Sequence, residues 1–170
     1  MGTKGHFRLT LFKHDVRERL EVSKNHSFKV EELLKIELTE LESHHGHQVK
    51  ELSEEQEAEY YEHHSDDYME LAKYIPSMQR KSELISICTI LEHLLGDLCL
   101  IYEVTTKNPV KLNDLNGQGI LDKARKYLVK VVGISFPETS QKWKEIVTIQ
   151  QIRNAFVHHD GIAKYGNDIH

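Results

Sequence analysis

Apolar residues recur every three to four positions along most of the chain, while the two-residue alternation of half-buried strands is nearly absent. The pattern predicts an all-α protein. Phe7-Arg8-Leu9-Thr10-Leu11-Phe12 reads either as a short strand or as the entry to a helix, and residues 1–26 have no assigned structure at this level. From about Ser27, the residues Val30, Leu33, Leu34, Leu38 and Leu41 form a one-sided stripe. The stripe turns polar through Ser43-His44-His45-Gly46-His47 and continues through Val49 and Leu52 to Met69, Ala72 and Ile75. This is one long helix over about 28–74 or a helix broken at Gly46. Pro76 is expected to end it, because the residue before a proline is steered away from helical geometry.

The second helix is expected over about Ser77–Thr105. Its apolar residues, from Leu84 to Tyr102, surround most of the axis, which marks a central helix covered by neighbours or by a second subunit. Asn108-Pro109 opens a loop. The third helix is expected over Ile120–Val132, with Leu121, Ala124, Leu128 and Val131 on one face and Gly133 as its stop. Ser135 and Glu138 have capping-box spacing for a fourth helix that reaches about His158, with Gly161 closing it. Four main helices, a long N-terminal hairpin and two shorter ones, predict an up-and-down bundle forming one domain over residues 1–170.

Composition narrows the class. In 170 residues there are 22 Lys+Arg against 27 Asp+Glu, for a formal charge of −5. Such a length suits a single core. No apolar stretch is expected to reach the roughly 18–20 residues of a membrane helix, and Met1–His14 lacks the apolar region of a signal peptide. Cys88 and Cys99 lie eleven residues apart in one apolar helical pattern and read as core thiols of a reducing compartment, so a cytoplasmic location is expected. The negative charge is local. Residues 51–70 hold nine acidic residues and no Lys or Arg, while residues 71–170 have 13 basic against 10 acidic. The acidic run is a solvated face or a docking surface for a basic partner.

The candidate chemistry lies on the fourth helix. Trp143, Ile146, Ile149, Phe156 and Val157 make its apolar stripe, and Arg153 falls on that stripe. An inward arginine needs an anion or a route to solvent. His158 follows five residues later. Glu92, near Ile85, Cys88, Leu95 and Cys99 on the second helix, is a second inward charge. It pairs with Arg153 or tunes His158, or it belongs to a structural ion pair. His159 would point about 100° away from His158 and reads as an auxiliary phosphate contact or as plain surface. His44, His45, His47, His63 and His64 lack the four-ligand spacing of a structural zinc site, so no metal and no cofactor are expected.

Arg153-Asn154-Ala155-Phe156-Val157-His158 resembles the signature of the HEPN family, higher eukaryote and prokaryote nucleotide-binding domains: Arg, four to six residues, then His at the end of the last core helix. Asn154 after the Arg, Gly161 after the His, Tyr127-Leu128 and Leu91-Glu92-His93-Leu94 fit the likeness, which covers about residues 77–162. The resemblance implies a metal-independent endoribonuclease. Arg153, His158 and Asn154 would act on RNA in a cleft shared by two subunits of a homodimer. It also implies a toxin–antitoxin or antiviral defence role, with an antitoxin or effector protein as partner. The residue types suit cleavage of RNA by its own 2′-hydroxyl. Histidine titrates near neutrality and serves as base or acid, and arginine forks onto phosphate oxygens. The alternative is a non-catalytic helical module that binds a nucleotide or a partner protein.

Overall fold

The computed structural model describes residues 3–159, all of whose regular elements are helical. In order these are α1 (Thr3–Gln48), α2 (Glu54–His63), α3 (Ser65–Met69), a π turn (Glu70–Tyr74), α4 (Ile75–Thr106), a 3-10 turn (Leu112–Asp114), α5 (Gly119–Lys126), a second π turn (Tyr127–Val132) and α6 (Gln141–His159). The all-α expectation holds. The ambiguous segment Phe7–Phe12 is helical, as part of α1. Two compact units divide the chain: residues 22–83, and residues 1–21 with 84–170.

In the unit of residues 22–83, the helix runs through Gly46 and stops at Gln48. The next start signal is Ser53, whose Oγ accepts from the Gln56 N–H while Gln56 Oε1 accepts from the Ser53 N–H. This Ser-x-x-Gln capping box satisfies two amides at the head of α2. Arg80 forks onto both carboxylate oxygens of Glu31 at 2.6 and 2.8 Å. Ser27 Oγ donates to Glu83 at 2.8 Å.

Pro76 does not end a helix, contrary to expectation; it lies in the first turn of α4. A proline there lacks an amide donor and presses its ring on the carbonyl of residue 72. The π turn just before it widens the backbone, with the Ile75 N–H reaching back to the Glu70 carbonyl, and so absorbs both defects.

In the unit of residues 1–21 and 84–170, the core is Cys99, Ala124, Tyr127 and Leu128, with Leu95, Leu98, Tyr102, Leu112, Leu115, Val131, Val132, Ile134 and Phe136 packed on it. Both cysteines are buried free thiols, as expected. Burial, assisted by Glu103, pushes the Cys99 thiol up to about 12. Gly133 ends the second π turn in the left-handed region at φ +77°, with the Ile134 N–H closing onto the Leu128 carbonyl at 3.0 Å. The expected stop is therefore correct.

The expected cap of the last helix is not. Ser140, rather than Ser135, caps α6 by accepting from the Trp143 N–H at 3.2 Å. Residues 136–140 form a tight turn around Pro137, and Glu138 is drawn instead to Arg125. A long-range ion pair thus takes the carboxylate that local spacing assigned to a cap.

The membrane expectation also needs correction. The helical run Ser65–Thr106 contains an 18-residue window of mean hydropathy 1.9, long and apolar enough to cross a membrane by length and composition. Only 17% of that window is buried. The apolar run of α4 also carries Glu92 and Asp97, which are expensive within a bilayer.

Candidate functional site

The inward face of α6 is built from residues at helical spacing. Trp143 packs edge-on against Phe136, with ring centroids 4.7 Å apart, and fixes the start of the helix. Ile146, Gln150, Arg153 and Phe156 follow on the same side, all partly buried. Ile149 and Val157, expected on this stripe, are exposed at the surface.

Arg153 meets Glu92 of α4. Its Nη2 lies 3.3 Å from Glu92 Oε2, and the two side chains keep only 18% and 23% of their exposure. The other carboxylate oxygen, Oε1, accepts from Gln150 Nε2 at 2.5 Å. Arg153 Nη1 donates to Asn154 Oδ1 at 2.9 Å. Glu92 is thus held by two side chains three residues apart on α6. The guanidinium is in turn held by a carboxylate on one side and an amide oxygen on the other. Arg153 Nε and Gln150 Oε1 are buried with no hydrogen-bond partner. A buried guanidinium N–H of this kind is a ready donor to an anionic oxygen.

Cys88 stands beside this pair. Burial raises its thiol above the usual range; the positive charge of Arg153 opposes that shift and Glu92 adds to it.

The sequence-selected residues therefore divide. Glu92, Arg153 and Asn154 are brought together. His158 is exposed in the last turn of α6, about 140° around the helix axis from Arg153. His159 is the last described residue of α6, and Gly161 lies outside the described residues. Gln150 was not selected from the sequence. Its signal was the three-residue spacing to Arg153, which is easily read as one more polar position on a mixed face. Among the described residues, no group of three or more His, Cys, Asp or Glu side chains is placed to hold a metal ion.

No protein-family model, curated protein or solved structure matches the chain.

Proposed function

We propose that the chain is a HEPN-like helical protein that cleaves RNA without a metal, with Arg153 binding the scissile phosphate and His158 moving the proton. The observation that carries this reading is the mostly buried Arg153, held at Nη1 and Nη2 by Asn154 and Glu92, with Nε unpartnered. A guanidinium fixed in this way loses little freedom on meeting a phosphate.

His158 and Arg153 point to different sides of one helix, so one copy does not align both on a single phosphate. A second copy supplies the missing geometry, with the His158 of each chain facing the Arg153 of the other. Apolar side chains exposed on α4 (Leu100, Val104) and α6 (Val147, Ile149, Ile152, Val157) support a homodimer that covers them. The bundle-like architecture, the cytoplasmic location and a role as toxin or defence nuclease with a protein antagonist belong to the same proposal.

The test incubates the purified chain with mixed single-stranded RNA in EDTA. Cleavage is expected, and Arg153→Ala and His158→Ala should each reduce it by about 100-fold or more. RNA left intact by the wild-type chain, or cut equally by both variants, would overturn the reading.

A second reading rests on Glu92. Its carboxylate already neutralises much of the Arg153 charge, which favours a non-catalytic module binding a nucleotide or a protein. Saturable nucleotide binding without turnover would select it.

A further inference from the structure

Among the described residues one histidine, His45, is buried, retaining 5% of its exposure. It lies near the C-terminal end of α1, in the unit of residues 22–83. The clustered histidines divide sharply here. His44 and His47 are exposed, whereas His45 and His64 face a common set of rings.

Tyr60 organises that set. Its hydroxyl lies 2.9 Å from His45 Nδ1, and its ring stacks on His64 with centroids 4.2 Å apart. The Tyr60 backbone carbonyl lies 2.9 Å from His64 Nδ1. A carbonyl only accepts, so this nitrogen carries the proton and Nε2 of a neutral His64 presents a lone pair. Tyr68 Oη donates to Glu42 Oε1 at 3.4 Å.

A pocket of ≈ 330 Å³ adjoins this cluster, lined by Glu42, His45, Tyr61, His64, Ser65, Tyr68 and Met69. His45 Nε2 is buried with no hydrogen-bond partner. The lining residues thus include a histidine with an unpartnered Nε2, a carboxylate, two tyrosines and a thioether, with no Lys or Arg. Residues 51–70, which build α2 and α3, carry nine acidic residues and no basic one. An anion would be repelled by Glu42 and by this acidic run. A metal ion lacks its ligands, since no three candidate side chains converge among the described residues.

We infer that this pocket binds an aliphatic ammonium group, with His45 Nε2 and Glu42 accepting its N–H bonds and Tyr61, Tyr68 and Met69 covering its methylenes. A cation over tyrosine faces is attracted by the ring quadrupole, and the acidic surface draws it in. An N–H donor selects the His45 tautomer in which Nδ1 donates to Tyr60 Oη and Nε2 accepts. The source is either a small free amine or a lysine side chain of a partner protein. The inference is independent of the Arg153 reading and uses none of its residues.

The experiment titrates the full chain with butylammonium chloride, 1-butanol and sodium butyrate, following the histidine and tyrosine ring resonances by NMR. Saturable shifts at His45, Tyr61 and Tyr68 are expected with butylammonium alone. Glu42→Gln, at an exposed position, should weaken that binding by about tenfold. His45→Ala should abolish it, and Glu42→Gln keeps the test intact if the His45 variant does not fold. Comparing 1,4-diaminobutane with a lysine peptide, and with the same peptide acetylated on lysine, identifies the source. Tighter binding of either unacetylated amine supports the inference. Equal shifts with butanol or butyrate, no shift with butylammonium, or unchanged binding by Glu42→Gln would overturn it.

Discussion

Arg153 and Glu92, 61 residues apart in sequence, form an ion pair of 3.3 Å in which neither side chain keeps a quarter of its exposure. Gln150 and Asn154 complete the arrangement, one holding the carboxylate and the other the guanidinium. Two charges this sheltered are costly apart and modest together.

Replacing Glu92 by Gln tests both sides of that balance. It leaves Arg153 without its counter-charge and should lower stability by about 1–3 kcal/mol in urea unfolding. It should also free the guanidinium for phosphate and tighten RNA binding by roughly threefold at low salt. Lost stability with unchanged RNA binding would assign the pair to structure alone.

Tyr127 has no exposed surface, yet its hydroxyl has no hydrogen-bond partner. Burial also raises its pKa, so the phenol stays protonated. Tyr127→Phe removes an unsatisfied polar atom and keeps the ring. Thermal unfolding of this variant should occur at or above the wild-type midpoint, by up to about 1–2 kcal/mol. A loss greater than about 1 kcal/mol would show that the hydroxyl has a partner.

Gly133 adopts φ +77° at the end of the second π turn, and a Cβ built there meets open space. The cost of Gly133→Ala is therefore one of backbone conformation, not of crowding. Destabilisation of about 1 kcal/mol is expected in chemical denaturation. An unchanged midpoint would mean that the turn rearranges freely.

Asp122 gives the fold an acid limit. Its carboxyl is held down to about 2, first by the hydrogen bond from Lys126, then by Arg125 and the Gln118 amide. A depressed carboxyl contributes stability that is complete above its unfolded value near 3.9 and is lost as pH falls toward 2. Unfolding free energy measured between pH 5 and 2 should fall less steeply in Asp122→Asn than in wild type, from a lower starting value. Parallel curves would remove Asp122 from the acid response.

Periodicity alone determined much of this protein. Helical type, the stop at Gly133, the burial of Cys88 and Cys99 and the inward positions of Glu92 and Arg153 all follow from local chain geometry and from the need to bury one face. The sequence placed Glu92 near enough in pattern to pair with Arg153, because two inward charges of opposite sign have few other ways to escape desolvation. The capping box at Ser53 was also written locally, although Gly46 is the more conspicuous helix breaker. Other features depend on neighbours distant in sequence. Glu138 leaves its expected cap for Arg125, and Gln150 becomes a clamp only once α4 supplies Glu92. His45 is distinguished from His44 and His47 only when α2 brings Tyr60 to it. In each case a side chain with several local options took the one offered by a partner distant in sequence, and only the tertiary structure brings such partners into reach.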